Sequence, residues 1–331
     1  CPAVAVTNAF NTVLYTGNRV DASTTNPQTV GFQPDFTWQK IRTQAYSHIL
    51  VDSIRGGDNM LRSDTTAQES NGTTNNFGGI DFVPNGVVIN SAAYTVDNLN
   101  KSGDDMVIWN WYAPTAETNT IGTDTATIKK NVEAGFSIVS CTSIGTTNVG
   151  HGLDGAPDLI ILKALDVTDA WQVYNSTSGT GKYMLLDVSD GEVVRANSFS
   201  SVTSTTFTNR WTGGTVDWIA YCFKSIPGYS RVGSYIGGGA TNVTVNVGFA
   251  PSYIMIKSTS AGRNWLIYDN KRETGTVPYE NDTVLFAGGS SPEVTGNVQR
   301  GIQFTSTGFV LNQNYGNTNG SGETHIFLAI A

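Results

Sequence analysis

The sequence predicts an all-β protein of three tandem β-sandwich domains, jelly-roll or lectin-like in type, built from an internal repeat. The first observation is a Pro-led strand, a polar turn and a second strand that occur three times. The copies are Gly31-Phe32-Gln33-Pro34-Asp35-Phe36-Thr37-Trp38-Gln39-Lys40 with His48-Ile49-Leu50-Val51-Asp52, Gly155-Ala156-Pro157-Asp158-Leu159-Ile160-Ile161-Leu162-Lys163 with Trp171-Gln172-Val173-Tyr174-Asn175, and Gly248-Phe249-Ala250-Pro251-Ser252-Tyr253-Ile254-Met255-Ile256-Lys257 with Trp265-Leu266-Ile267-Tyr268-Asp269. In each, Lys stands six residues after Pro and Asp or Asn twelve after Lys, without a gap. The second observation is the spacing: short strands separated by Gly, Thr, Ser and Asn turns fit sandwiches of near one hundred residues. Propeller blades need only about 40–50. The third is composition, with charged residues at 14%, well under the roughly 25% usual for soluble domains.

Each copy opens on an alternating strand: residues 10–17, 136–141 and 232–237. The Pro that follows can only begin a strand or lie on an edge, because it lacks the ladder N–H. Counting along the copies aligns Trp38 with Ile161 and Ile256, Cys141 with Tyr235, and Cys222 with Ile330. After the second strand, residues 79–90 match residues 301–312 position for position as a hairpin turned at Gly; the second copy keeps only a remnant at residues 205–209. Each copy closes on an apolar strand, at residues 106–111, 218–223 and 326–331. Being apolar on both faces, these strands are expected in the middle of sheets. The predicted organisation is a first sandwich at 1–113, a Thr-rich connector at 114–134, a second sandwich at 135–227 and a third at 228–331. Within the connector, residues 124–133 have the length for two helical turns, although their threonines disfavour helix.

A net charge of −8 and the absence of any Lys/Arg cluster denser than Lys129-Lys130 argue against nucleic acid or an anionic membrane as partner, since both select a basic face. No apolar run reaches the length of a membrane span. Cys1 at the start is read as a lipidated terminus or as a trimmed or incomplete one. Cys141 and Cys222 fall on the first and last strands of the second copy. Because their counterparts are ordinary residues, they are expected to be free and buried rather than paired.

Candidate chemistry is sparse. Gly150-His151-Gly152-Leu153-Asp154-Gly155 has the letters of a dinucleotide motif, but a Pro-led strand follows where a helix should begin. Gly179-Thr180-Gly181-Lys182 lacks P-loop spacing. None of His48, His151 and His325 has a second ligand at metal spacing, and His48 stands where the other copies have Trp171 and Trp265. Asp35/Asp158 and Asp52/Asp269 recur by position. A catalytic pair is needed once, whereas a turn-forming Asp is useful in every copy. No catalytic, cofactor-binding or metal residue is therefore assigned, and an enzyme is not expected. Trp38, Trp109, Trp111, Trp171, Trp211, Trp218 and Trp265 could stack on sugar rings, but four of the seven occupy predicted strand positions that are apolar in the other copies, which points to core packing. Trp211 stands next to Arg210 and a Gly pair, while Tyr279 and Tyr315 lie in loops peculiar to the third copy. Trp211, Tyr279 and Tyr315 are the candidates for glycan or partner contact.

The composite Gly31-Phe32-x-Pro34-Asp35-x-x-Trp38-x-Lys40-x-Arg42, the following Ser47-His48-x-Leu50-x-Asp52-x-x-Arg55-Gly56 and the closing Tyr221-Cys222-Phe223 resemble a repeat domain of marine bacteriophage virion (tail-fibre-like) proteins, including those of cyanophages. The resemblance runs from about residue 10 to 331. The second copy departs most, with Ala164-Leu165 in place of Ile41-Arg42. It implies a non-enzymatic structural protein at the virion surface, in a tail fibre or other appendage. Expected partners are other virion proteins, further copies of itself (such fibres are commonly homotrimers) and a host surface glycan or protein. A capsid decoration or head-fibre protein, a carbohydrate-binding module and, more remotely, a cell-surface filament protein are the alternatives.

Overall fold

The computed structural model describes residues 6, 8–71, 78–91, 99–145, 147–209, 214–260, 262–272, 283–296, 300–311 and 313–331. The fold is the all-β sandwich expected, and its pairings within sheets are antiparallel. Each copy contributes one large sheet. The first runs, in spatial order, Phe10–Thr16, Asp105–Trp111, Phe36–Ile41, Ile49–Asp52, Asn59–Arg62 and Ser70–Asn71. The third repeats this with Ser230–Ile236, Thr324–Ile330, Tyr253–Ser258, Leu266–Asp269 and Leu285–Phe286. The second has Phe136–Ile144, Thr215–Phe223, Leu159–Ala164, Gln172–Asn175, Lys182–Leu185 and Val193–Val194. The apolar closing strands thus lie inside the sheets, hydrogen-bonded on both sides.

A small sheet covers the outer face of each large one: Thr25–Thr29, Gly86–Asn90 and Gly79–Val83 in the first copy, Val243–Asn246, Gly308–Leu311 and Ile302–Thr305 in the third, and only Asn148–Gly150 with Thr206–Thr208 in the second. The strand alternation places Ile41, Val51 and Ile108 under the first small sheet, Ile160, Leu162 and Tyr174 under the second, and Ile254, Ile256 and Tyr268 under the third. These are separate outer cores. The other parity points the opposite way, and there all three copies meet. Phe36, Trp38, Trp109 and Trp111, Leu159, Ile161, Tyr221 and Phe223, and Tyr253, Met255, Leu328 and Ile330 form one buried cluster. The large sheets are therefore packed on one another around a shared centre as well as on their own small sheets, which the repeat alone does not reveal.

Two alignments are corrected, one by the count from Pro and one by strand register. Trp38, Ile161 and Met255 each stand four residues after their Pro and all enter the central cluster, whereas Ile256 faces the outer core. Ile160 pairs with Cys222 and Ile254 with Ala329, so Cys222 corresponds to Ala329, not Ile330. Cys141 and Cys222 are free and buried. The helical expectation for residues 124–133 is also corrected. Thr115–Asn119 and Ala126–Asn131 form a hairpin that extends the second large sheet beyond Phe136–Ile144. Thr-rich β-branched sequence with Ala126 and Ile128 on one face favours a strand once an edge is there to accept it. Gly86 and Gly308 show why the repeated hairpin turns on Gly: a Cβ would fall 2.0 Å from the Gln28 carbonyl oxygen or 1.9 Å from that of Val245. Among the described residues the only α-helix is the single turn Gly316–Asn319.

Candidate functional site

The polar residues that the repeat keeps converge on the seams between copies. Register makes His48, Trp171 and Trp265 equivalent, and likewise Arg62, Leu185 and Phe286, which pair with the residues just after them. The Trp171 indole N–H donates to the Arg62 carbonyl at 2.8 Å, and the Trp265 indole N–H to the Leu185 carbonyl at 2.7 Å. Each bond crosses from one copy to the preceding one. The backbone adds a second set: Glu69 N–H donates to Leu165 O at 2.9 Å, Glu192 N–H to Thr259 O at 2.8 Å and Glu293 N–H to Arg42 O at 2.7 Å. First binds second, second binds third, and third binds first. The copies close into a ring.

At the third-to-first seam His48 takes the tryptophan's place. Its Nδ1 accepts the Trp38 indole N–H at 2.9 Å, so Nε2 carries the proton. Nε2 is buried without a hydrogen bond, with the Phe286 carbonyl as its neighbour. Burial holds this imidazole well below its ordinary pKa, Lys40 and Arg272 reinforce that, and the Phe286 carbonyl opposes it. It is a neutral residue in a seam.

Two seams carry an Asp–Arg pair bound by an aromatic donor from the next copy. Asp52 Oδ1 accepts the N–H groups of Ile54 and Arg55, which is the turn role expected of it. Its Oδ2 accepts from the Arg55 guanidinium at 2.6 Å and from the Tyr221 hydroxyl of the second copy at 2.9 Å. Burial raises the Tyr221 phenol well above its ordinary value, with Arg55 lowering and Asp52 raising it further, so it remains a donor. Asp269 repeats the pattern with Lys271 and Arg272 N–H, the Arg272 guanidinium at 2.6 Å and the Trp109 indole of the first copy at 3.0 Å. Glu69 binds Arg55 at 2.8 Å, and Glu293 joins Arg272 at 2.9 Å to Arg42 at 2.8 Å. At the remaining seam every member changes together. Asn175 replaces Asp, Ser178 replaces Arg, and Leu328 stands where Trp109 and Tyr221 stand. Glu192, the counterpart of Glu69 and Glu293, pairs with Lys182 instead, at 2.8 Å.

The lysine of the repeat also points inward. Lys40, Lys163 and Lys257 are buried, and each ammonium donates to the carbonyl of the next residue, at 2.5, 2.8 and 2.8 Å. Lys163 also reaches Thr66 O of the first copy at 3.4 Å. Burial pulls each down to about 8, against Asp64 and Glu293 for Lys40, Asp169 and Asp187 for Lys163, and Asp190 and Glu323 for Lys257.

Of the residues proposed for outside contact, Trp211 and Tyr279 lie outside the described residues. Tyr315 is half-buried against the third outer core, with the Arg300 guanidinium 5.5 Å over its ring. Trp38, Trp109, Trp111, Trp171, Trp218 and Trp265 are buried. His151 and His325 bond to backbone, with Thr203 O and with Glu323 O and Gly316 O. Among the described residues no group of three or more His, Cys, Asp or Glu is placed to hold a metal. Open clefts flank Tyr112 and Pro114, one of about 440 Å³ reaching Lys130 and Glu133 and one of about 180 Å³ reaching Gln33 and Lys129. The Asp-x-x-Arg recurrence and its absence in the second copy were legible signals of the seam clusters. What was missing was the aromatic partner, which register alone supplies.

Fold and seams together define an all-β protein of sandwiches closed on a common core. The chain belongs to a family described as a domain of unknown function (DUF7483), whose model matches residues 5–331. No curated protein and no solved structure matches it.

Proposed function

We propose that this chain is a non-enzymatic structural protein of a bacteriophage virion, a tail-fibre or other appendage component exposed at the particle surface. The observation that carries this reading is the closed ring. The residues kept by the repeat, Asp52 and Asp269, Arg55 and Arg272, Trp171 and Trp265, and Lys163 among the lysines, are bound up in holding copy to copy. A protein organised this way presents loops outward from a rigid centre, as a surface scaffold must. The resemblance of the Pro-led motif to marine phage virion proteins supplies the setting. Contacts with neighbouring virion proteins and with a host surface glycan or protein follow from it.

The test is quantitative mass spectrometry of purified particles with antibody labelling in the electron microscope. A low copy number at the tail supports the reading. A high copy number over the head assigns the chain to capsid decoration, and absence from the particle ends the virion reading.

A further inference from the structure

The stretch that follows the first closing strand builds a feature that the other two joints lack. Tyr112 follows Asp105–Trp111 where Lys224 and Ala331 follow Thr215–Phe223 and Thr324–Ile330. Gln33 precedes Pro34 where Ala156 and Ala250 precede Pro157 and Pro251. Past Pro114 the chain enters the hairpin of Thr115–Asn119 and Ala126–Asn131, in which Thr115 pairs with Lys130 and Ala116 with Lys129. The two clefts that meet at Tyr112 and Pro114 are therefore walled mostly by residues the repeat does not keep.

Tyr112 is half-buried, and buried Phe32 packs on its ring at 5.5 Å between centroids. Its backbone N–H donates to Ala9 O at 3.0 Å, so the ring is held in place from both ends. Around it stand groups with hydrogen-bonding capacity to spare. Among the described residues the Tyr112 hydroxyl, the Gln33 amide and the Glu133 carboxylate have no partner. Asn131 spends its carbonyl oxygen on the Ala134 N–H at 3.1 Å and keeps its two amide donors. Lys130 gives one donor to Glu117 at 2.5 Å, and Lys129 gives one to Asp35 at 2.8 Å. Asp35 is 2% exposed and fixed by Ser53 Oγ and Ala113 N–H, each at 2.8 Å. Both ammonium groups are thus matched by a carboxylate, and Glu133 adds a further negative charge. With a net −8 on the chain, nothing in these clefts favours a sulfated, phosphorylated or uronate ligand.

We infer that the clefts around Tyr112 bind a neutral oligosaccharide, with one pyranose ring packed on the Tyr112 ring and its hydroxyls bonded by Gln33, Asn131 and Glu133. A fixed aromatic ring offers an apolar surface to the C–H groups of a sugar, while amides and a carboxylate supply both the donors and the acceptors that its hydroxyls need. The wider cleft, of about 440 Å³, has the size of a small-ligand pocket. The narrower one, of about 180 Å³, shares Tyr112 and Pro114 with it and admits a further sugar residue beside Gln33 and Lys129. As the host-surface contact of the protein proposed above, this site rests on that reading. Sugar binding by the purified chain and presence of the chain in particles are separate measurements, so either can fail alone.

The probe is an array of immobilised glucose, galactose, mannose and N-acetylglucosamine oligomers, with sialylated and sulfated glycans beside them, exposed to the full chain. The best-retained neutral glycan is then titrated in solution and followed by NMR. Retention of neutral glycans is expected, with saturable binding in the titration. Tyr112→Ala should weaken it at least about tenfold, roughly 1.4 kcal/mol, whereas Tyr112→Phe keeps the ring and should hold the affinity within about threefold. Gln33→Ala and Glu133→Ala remove groups that bond nothing else in the fold, and each should cost about threefold, as the loss of a neutral or singly charged hydrogen bond does. These two variants keep the test open should Tyr112→Ala unfold, which its urea midpoint reveals. Retention of no neutral glycan overturns the proposal, and retention confined to the acidic glycans overturns the class of ligand. Binding that Tyr112→Ala, Gln33→Ala and Glu133→Ala all leave unchanged overturns the site.

Discussion

The indole N–H of Trp109 donates to the Asp269 carboxylate at 3.0 Å across 160 residues of chain, inside a seam where both are fully buried. Arg272 neutralises the same carboxylate at 2.6 Å and lies with its guanidinium 5.4 Å over the Trp109 ring. Removing a neutral donor and removing the charge should therefore have different costs. Trp109→Phe leaves Asp269 with its arginine and should lower unfolding stability by about 1–3 kcal/mol. Asp269→Asn leaves Arg272 buried with Glu293 alone and should cost about 3–5 kcal/mol. Urea denaturation followed by tryptophan fluorescence measures both, and equal losses would contradict the arrangement.

The seam between the second and third copies makes the converse test. Asn175 is buried and faces neither an arginine at position 178 nor a donor at position 328. Asn175→Asp should therefore destabilise at neutral pH by about 2 kcal/mol or more, as an unpaired buried carboxylate does. Its pKa would be raised by folding, so the penalty should fade as pH drops toward the ordinary carboxylate range. Adding Ser178→Arg should recover stability beyond the sum of the single changes, and a double-mutant cycle reads that coupling. Additive effects would mean that Ser178 does not occupy the arginine's place.

How much of this was legible follows from the same residues. The Pro-led strand, the closing strands in mid-sheet and the Gly-turned hairpin were readable because periodicity and turn chemistry are local. The true counterpart of Trp38, Met255, follows from the same count from Pro that aligns the lysines, whereas that of Cys222, Ala329, needed strand register, which is tertiary. The seam clusters were half visible: Asp52-x-x-Arg55 and Asp269-x-x-Arg272 recur in the chain, but Tyr221 and Trp109 come from other copies, and no spacing rule links them. The hairpin over residues 115–131 was hidden for another reason. Its threonines argued against helix without showing which edge would accept a strand.

His48 should make stability fall with acid. Folding holds it neutral, its pKa well below the ordinary 6.5 through burial beside Lys40 and Arg272. The unfolded chain thus binds the extra proton first, and stability declines as pH drops through about 6.5. His151 and His325 are also lowered, by burial, and contribute to the same slope. His48→Gln keeps an acceptor for Trp38 and removes the titration. Its stability should decline less between pH 7 and 5 than that of the wild type, and parallel curves would exclude His48 as a source.

The buried lysines should act at the alkaline side. Lys40, Lys163 and Lys257 are each pulled down to about 8 by burial, from 10.5 in the free side chain. Below pH 8 they are protonated in both states, and burying the ammonium costs a constant amount. Between about 8 and 10.5 the unfolded chain holds more protons than the folded one, so stability should rise with pH across this window. Deprotonation of unfolded tyrosines limits the rise near pH 10, because Tyr221, Tyr235 and Tyr268 are raised well above 10 in the folded protein by burial. Lys163→Met removes one of three equivalent contributions. The slope from pH 8 to 9.5 should drop by about a third, and stability at pH 7 should increase, since a hydrophobic side chain of similar length replaces a buried ammonium. Urea midpoints at half-unit pH steps measure both. A slope unchanged in Lys163→Met would show that the ammonium is solvated, and with it that the second copy's lysine does not lie in the seam.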